Sequence, residues 1–543
     1  IYFENVKIDD CGLENKDDEI FLKIRANISN KTNKKEQITI THSLIFEDKV
    51  IKTYKSDIFS LKPLENTEVK AEFPIKYPRL WSPDSPNLYK VESLIEINGK
   101  IIDKISSDYG FRYLDVSSWT GLKLNGSPIK LKGVCLHHDQ GALGARSLYR
   151  SILRQILIMK DMGANAIRIT HNPASKNLID IANKYGILLI EEIFDGWIMD
   201  KNNDYNDYSR FFEEKIGKSK LINSREEMTW SEYDLKETLR RDYNAPSVIA
   251  YSLGNEIMCG TNQSRRKEYP NLVRKLITWA GSIDQKRFLT IGDNSLRDSY
   301  DPIFLEIEEE IMKSHGFVGL NYCDGNKYDQ IHKDHPSWIL WQSESASSVN
   351  SRACYDRLGD DLRDDFRLTS FDNSKVAWGN FAAEAWFDVI NRDFILGEAV
   401  WTGFDYLGEP TPYNFIARGY PYGPKAPKSS YFGIVDTAGF PKDSYYFYRS
   451  QWNNEDTTTH ILPTWNDEEL GVLAKNVPLT VYTNAWAVNL IFTDQDGNKK
   501  SLGKKYMEEI KTPVGFSYKK VQGKEVHESL YMTWNIPYKK GTI

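Results

Sequence analysis

Val248-Ile-Ala-Tyr-Ser-Leu-Gly-Asn-Glu256 is a continuous apolar run with a β-branched start that stops abruptly at Gly254-Asn255-Glu256. Such a run reads as a parallel strand buried on both faces. An Asn-Glu pair at the C-terminal end of a buried strand is where a (β/α)₈ barrel places its chemistry. A second stretch answers it. Trp338-Ile-Leu-Trp-Gln-Ser-Glu344 is also an apolar strand ending in a carboxylate, 88 residues downstream. At about 30 residues per βα unit the two glutamates stand about three strands apart.

Strand-like and helix-like segments alternate from Leu124-Asn125-Gly126 onward. The strands are read as Ile129–Cys135, Ala166–Thr170, Leu188–Ile193, Val248–Leu253, Phe288–Ile291, Val318–Asn321, Ile339–Gln342 and Ile395–Trp401. Helical patterns at Leu153–Met162, Lys176–Tyr185, Asp234–Tyr243 and Leu272–Ile283 fall between them. This alternation predicts βα units closing into a (β/α)₈ TIM barrel, with long insertions after the third strand (about 198–230) and the seventh (about 345–376). Residues 1 to 112 alternate with period two instead, as in Leu22, Ile24, Ala26, Ile28 and in Ile38, Ile40, His42, Leu44, Phe46. Short strands at this spacing predict a β-sandwich. In that register His42 reads as a core or rim residue rather than a ligand. Alternation returns from 455, through Val477, Leu479, Val481 and then Val488, Leu490, Phe492, with the hairpin signal Asp496-Gly497. The expected organisation is multidomain: an immunoglobulin-like β-sandwich over 1–112, a catalytic barrel over 113–454 and a second immunoglobulin-like sandwich over 455–543.

A chain of 543 residues is too long for one core, which fits several domains. A net charge of −6 gives no reason to expect nucleic acid or an anionic membrane as partner. No stretch of about 20 apolar residues occurs, so no membrane span is expected. The five cysteines are widely spaced without a Cys-x-x-Cys, which argues against a disulfide framework or a zinc site. The many Trp and Tyr residues suit sugar stacking and sandwich cores alike. The chain opens at Ile1 without an initiator Met, so it carries no information on a signal peptide or upstream domain.

Two carboxylates across a barrel mouth are what glycoside hydrolysis needs. In the retaining form one is the acid/base and the other the nucleophile, with carboxyl groups about 5–5.5 Å apart. Taken singly, Glu256 or Glu344 would more often cap a helix or pair with an arginine. Together, on two strand ends with Asn255 alongside, they favour catalysis. Asn255 is placed to donate to a sugar 2-hydroxyl. His137, His138 and Asp139 follow the first strand; Arg168 lies in the second, and His171 and Asn172 follow it. These suggest a polar pocket floor, with Arg168 orienting the nucleophile, His137 and His171 bonding hydroxyls, and Asp139 capping its loop. The His spacing fits no zinc motif, and hydrolysis by two carboxylates needs no metal, so neither metal nor cofactor is expected. Asp293 ends the fifth strand, Asn321 and Tyr322 the sixth, and Trp401 the eighth. Trp401 suits a platform under a sugar ring or barrel-top packing, and a buried Tyr near the nucleophile suits a hydrogen bond to its carboxylate. Glu191, Glu192, Asp195 and Glu398 are read as structural or supporting.

These residues resemble glycoside hydrolase family 2, specifically its bacterial β-galactosidases, over nearly the whole chain. Arg79-Leu-Trp-Ser-Pro-Asp-Ser-Pro-Asn-Leu-Tyr89 and Gly110-Phe-Arg112 look like the end of the family's immunoglobulin-like domain. Lys132-Gly-Val-Cys-Leu-His-His138 and Asn165-Ala-Ile-Arg-Ile-Thr-His-Asn-Pro173 look like its first two barrel strands. Arg241-Asp-Tyr-Asn-Ala-Pro-Ser-Val-Ile249 leading into Gly254-Asn-Glu256 is similar to its acid/base signature, and Ser343–Arg352 to its nucleophile segment. Trp401–Tyr413 with Ser430–Lys442 resembles a subgroup that includes enzymes of glycan-degrading bacteria. The resemblance implies Glu256 as acid/base and Glu344 as nucleophile. It implies a subsite lined by Asn255, Arg168, His137, His171, Tyr322 and Trp401, with Asp293 contacting galactose hydroxyls. Three departures stand out. Ala245 replaces the usual His of Asn-His-Pro-Ser, the family's N-terminal jelly-roll domain is not in this chain, and the magnesium-ligand pattern of some members is not matched around Glu192–Trp197.

The expected activity is that of a retaining exo-β-galactosidase acting on a β-galactoside oligosaccharide or glycoconjugate. The alternatives are β-glucuronidase or β-mannosidase of the same family, or a non-catalytic carbohydrate-binding protein. The family's glucuronidases carry an Asn-x-Lys motif after the eighth strand; here Asn373-Ser-Lys375 lies before it. Homo-oligomerisation is left open. The resembling subgroup implies a periplasmic or secreted setting, with the cytoplasm as the alternative.

Overall fold

A computed structural model describes residues 1–13, 19–201, 206–260, 263–413 and 427–543. Eight parallel strands close into a barrel in sequence order. They are β1 (Leu131–His137), β2 (Ala166–Thr170), β3 (Leu188–Glu192), β4 (Val248–Asn255), β5 (Phe288–Asp293), β6 (Val318–Asn321), β7 (Leu340–Ala346) and β8 (Ile395–Trp401). The eight anticipated strands are all present. β4, β5 and β7 run two to four residues further than periodicity suggested, because Asn255, Asp293 and Glu344 still pair with the neighbouring strand. Apolar patterning cannot register polar residues that remain in a ladder.

Every residue of β2, β3, β4, β5, β7 and β8 is buried, as expected for parallel strands covered on both faces. One face packs inward, with Cys135, Ala166, Ile190, Ala250, Trp341 and Ala399 in the interior cluster. The other packs under the helices, with Ile167, Leu189 and Val248 against Ile156, Leu235 and Leu276. The helix Lys176–Tyr185 matches its expected bounds because both stops are written in the chain: Ser175 Oγ accepts from the Leu178 amide, and Gly186 takes φ 72° at the C-terminus. Helices Pro302–Lys313, Gly325–Asp334 and Ala382–Ile390 complete the ring and had no assigned pattern. Part of the insertion after β3, residues 202–205, lies outside the described residues.

The N-terminal segment forms two antiparallel sheets. One holds 2–11, 19–29 and 66–76; the other holds 49–55, 36–46, 89–97 and 100–109, with 59–61 on its edge. Leu22, Ile24, Ala26, Ile40, Leu44 and Phe73 fill the space between them. At the C-terminal end, strands 459–462, 477–483 and 532–536 face strands 517–521, 499–511, 487–494 and 541–542 across Leu479, Val481, Leu490 and Met532. The barrel is therefore flanked by two β-sandwiches. The first grips the barrel where β4 begins. Arg112 donates from Nε to Pro246 O (2.5 Å) and from Nη2 to Val248 O (2.7 Å). Trp81 Nε1 donates to Asn183 O at 2.8 Å. Among the described residues no helix is long and apolar enough to cross a membrane.

Candidate active site

The end of β4 is built by close approach. A Cβ on Gly254 would lie 2.7 Å from Ile257 Cγ2 and 2.8 Å from Trp197 Nε1, so only glycine fits under that indole. Trp197 Nε1 donates to Leu253 O, and the Asn255 amide donates to Asp195 O, both at 2.8 Å. The pairing of β4 with β5 slips between Ser252 and Asn255, a bulge that re-aims the residues after it. Glu256 then adopts φ 45°, rare for a residue with a side chain and characteristic of functional positions. Its amide is held by Gly292 O at 2.7 Å. The ends of β6 and β7 repeat the device: their pairing shifts between Leu320 and Asn321, and Tyr322 takes φ 58°.

One hydrogen-bonded chain runs between the two glutamates. Asn321 Nδ2 donates to Glu256 Oε1 (3.3 Å) and Asn255 Oδ1 (3.1 Å). Arg168 Nη2 donates to the same Asn255 oxygen (2.9 Å), and its Nη1 to Glu344 Oε1 (2.8 Å) and Ser343 O (3.1 Å). Two donors on Oδ1 fix the Asn255 amide, so its Nδ2 faces His171 Nε2 at 3.5 Å. Tyr322 OH donates to Glu344 Oε2 at 2.6 Å. Asn294 Nδ2 donates to Glu256 Oε1 at 2.9 Å. Arg168 has no exposure at all; Gly292 makes room for it, since a Cβ there would fall 2.5 Å from Nη2.

The charges are set by what faces them. Burial disfavours the Arg168 cation, but Glu192 and Glu344 outweigh that and hold it protonated. Burial likewise raises Glu192, yet Arg168 and His171 bring it down to about 2. The Glu192 carboxylate takes Arg168 Nη2 (2.6 Å), Ser252 Oγ (2.7 Å) and His171 Nδ1 (2.5 Å). For His171 burial opposes protonation, while Asp195 and Glu192 favour it and prevail. His137 goes the other way, pushed to about 3 by burial and by His171. Glu256 is raised above the usual carboxylate range by burial and then by Glu344, with Lys201 and Asn321 opposing.

Glu256, Glu344, Asn255, His171, Tyr322 and Trp401 share one cavity of about 450 Å³. The Trp401 ring stacks on His171 (5.3 Å between centroids, 14°) and meets the His137 edge at 5.1 Å. Three expected contacts sit behind the wall instead. Arg168 is spent on carboxylates and amides. His137 Nδ1 donates to Thr170 O at 3.1 Å, and its ring supports Trp401 and Tyr406. Asp293 accepts from the Ser295 amide at 2.5 Å and is pushed to about 7 by burial. Asp139 bonds the Gly141 amide at 2.6 Å and so caps its loop.

The cavity also holds Lys201, Asn294, Arg297, Trp378, Glu409 and Phe432, which the sequence reading did not assign. Asn294 and Arg297 directly follow β5, a position that could have flagged them. Lys201 and Trp378 come from the two insertions, where no periodicity points to a role. Lys201 pairs with Asp195, and Tyr406 OH donates to Glu409. Among the described residues no group of three His, Cys, Asp or Glu side chains is arranged to hold a metal.

Residues 118–437 match the sequence profile described as the TIM barrel domain of glycosyl hydrolases family 2, and residues 2–112 match a second profile of that family. Residues 474–543 match a domain described only as of unknown function. A β-galactosidase of Bacteroides ovatus, BoGH2A, is 32% identical over 431 residues, covering 72% of this chain and 46% of that protein. A β-glucuronidase of Bacteroides fragilis is 27% identical over 402 residues, covering 71% of this chain and 51% of that protein. The chain thus spans about half the length of these curated relatives. A β-glycosidase from Bacteroides vulgatus superposes with a TM-score of 0.75 at 25% identity, over 99% of this chain and 62% of that one. The two strand-end glutamates, the barrel that carries them and these matches have one conclusion: the chain belongs to glycoside hydrolase family 2.

Proposed function

We propose that this glycoside hydrolase is a retaining exo-β-galactosidase in which Glu344 is the nucleophile and Glu256 the acid/base. The observation that carries the assignment is the unequal surroundings of the two carboxyls. Glu344 receives a guanidinium N–H and a phenol O–H and presents its oxygens as acceptors. Among the described residues Glu256 receives only neutral amide N–H groups, and it is raised by burial, which favours the proton it must give away. In the first step a Glu344 oxygen bonds to the anomeric carbon while Glu256 protonates the departing oxygen. In the second, Glu256 takes a proton from water, which adds to the anomeric carbon and frees Glu344. Asn255 Nδ2, oriented by Arg168 and Asn321, donates to the sugar 2-hydroxyl.

The choice of a neutral glycone rests on charge. Glu409 lines the cavity close enough to Glu344 that burial and then Glu344 raise it above the usual carboxylate range, so a uronate placed there would add a third acidic group. The one Asn-x-Lys sequence near β8 does not offset it. Lys375 pairs with Glu384 at 3.2 Å and lies over Phe381, outside the cavity lining. The segments 1–112, 113–454 and 455–543 are proposed as sandwich, catalytic barrel and sandwich domains.

Turnover of 4-nitrophenyl β-galactoside against the β-glucuronide and β-mannoside tests the reading. The galactoside should be preferred, Glu344→Gln should abolish turnover, and Glu256→Gln should cost roughly 10²–10⁴-fold. A preferred glucuronide or mannoside overturns the glycone, and an active Glu344→Gln overturns the mechanism.

A further inference from the structure

Asn294 stands where the chain leaves β5 and enters the short helix Ser295–Asp298, at the N-cap position. An asparagine there ordinarily turns its side chain onto the first free amides of the helix. This one makes no such bond. The Ser295 amide donates instead to Asp293 Oδ1, at 2.5 Å. Asn294 is thereby released from capping, and its Nδ2 reaches Glu256 Oε1 at 2.9 Å and the Cys259 thiol at 3.5 Å. A local rule broken at a strand end marks a functional position.

The second donor to the same oxygen has its direction fixed. Ser343 Oγ donates to Asn321 Oδ1 at 2.6 Å, so Asn321 Nδ2 is the atom turned to Glu256 Oε1 (3.3 Å) and Asn255 Oδ1 (3.1 Å). Oε1 thus receives two amide N–H groups, which occupy both lone pairs of a carbonyl oxygen. Oε2 takes no donor among the described residues. We infer that Asn294 is a positioning residue: with Asn321 it keeps Glu256 Oε1 an acceptor, so that Oε2 carries the proton given to the departing oxygen. This rests on the assignment of Glu256 as acid/base. In the first step the Oε2 proton passes to the departing oxygen, which keeps the electron pair of its broken bond to the anomeric carbon. The charge left on Glu256 is shared with Oε1, where both N–H bonds strengthen as it forms. In the second step Oε2 takes the proton from water.

Asn294→Leu keeps the size of the side chain and removes the donor. The measurement is kcat/KM, which reports the first step, for aryl glycosides from 2,4-dinitrophenyl to phenyl, carrying whichever glycone the chain turns over. The phenyl glycoside should lose roughly 10–100-fold, as for a hydrogen bond to a forming charge, and the dinitrophenyl glycoside, whose leaving group needs no proton, less than about threefold. No loss, or an equal loss across the series, overturns the inference, since a displaced loop slows every substrate alike. Asn294→Ala, which adds no apolar bulk to the loop, should show the same leaving-group dependence. Glu256→Gln is the control. If it spares the phenyl glycoside, the acid/base assignment falls and the inference with it. If it is selective against phenyl while Asn294→Leu is not, the acid stands and the role of Asn294 alone falls. Neutron diffraction from the deuterium-exchanged chain in mildly acidic buffer locates the proton itself. A deuteron on Oε2 is expected, and one on Oε1 overturns the inference.

Discussion

Tyr322 donates its phenol hydrogen to Glu344 Oε2 at 2.6 Å, leaving the other carboxylate oxygen to Arg168. Tyr322 directly follows β6 and Glu344 lies near the end of the adjacent β7, and the Tyr322 amide also bonds Glu344 O at 2.8 Å. The Glu344 carboxylate is thus held by one neutral and one charged donor. Tyr322→Phe keeps the ring packing and removes one hydrogen bond to a charged group, a loss of about 1.5–3 kcal/mol. The expected result is a fall in kcat of roughly 10–100-fold with KM changed far less, measured on an aryl galactoside. An unchanged kcat would show that Glu344 does not depend on this contact.

Arg168 is the most heavily used side chain of the site, bonding Glu192, Asn255, Ser343 O and Glu344 from full burial. Removing one partner of a buried ion pair leaves an uncompensated charge, which costs about 3–5 kcal/mol. Arg168→Met should lower the urea midpoint accordingly and abolish turnover. Arg168→Lys should not restore activity, because a single ammonium cannot span four acceptors held by a planar fork. A Lys variant with near wild-type turnover would refute this reading.

How much of this was legible follows from which forces leave a period in the sequence. Burial on both faces leaves long apolar runs, so all eight barrel strands could be read, and the alternation around Ile24 and Leu479 gave both sandwiches. Glu256 and Glu344 were found because they interrupt apolar runs. Asn255, Tyr322 and Trp401 share that position and do line the cavity. Asp293 shares it too, and Arg168 lies inside β2, yet neither lines the cavity. Which way a strand-end side chain turns depends on bulges such as that between Ser252 and Asn255, and a bulge has no composition. Lys201 and Trp378 reach the cavity from irregular insertions, where only tertiary packing decides position.

His42 offers a test away from the site. It is fully buried in the first sandwich, with Nδ1 2.7 Å from Ser93 Oγ and Nε2 without a partner among the described residues. Burial pushes it down to about 4. The folded state therefore binds this proton less readily than the unfolded chain, whose His titrates near 6.5. Its neutral burial carries no penalty above pH 6.5, and stability is lost as pH falls from there toward 4. Between pH 6.5 and 5 the loss is about 1.6 kcal/mol. His42→Leu should show a smaller drop in urea midpoint of the full chain between pH 7 and 5 than the wild type. Parallel drops would mean that His42 does not titrate on unfolding.

Lys201 acts on the proposed acid through space. Burial and then Glu344 raise Glu256, and Lys201 is the first group that opposes them, favouring the charged form. Lys201→Met removes that opposition, so Glu256 should hold its proton to higher pH. The alkaline limb of kcat/KM, which reports the acid of the free enzyme, should move upward. Loss of a neighbouring positive charge cannot move it downward. A glutamate whose proton is harder to remove is also a weaker acid toward the departing oxygen, so the plateau should fall for poor leaving groups more than for 4-nitrophenolate. A pH profile with the alkaline limb unmoved, or shifted down, would place the titrating acid elsewhere than Glu256. Asn321→Ala, which removes a donor to the same carboxylate, should move the limb in the same upward direction and so separates a property of Glu256 from one peculiar to position 201.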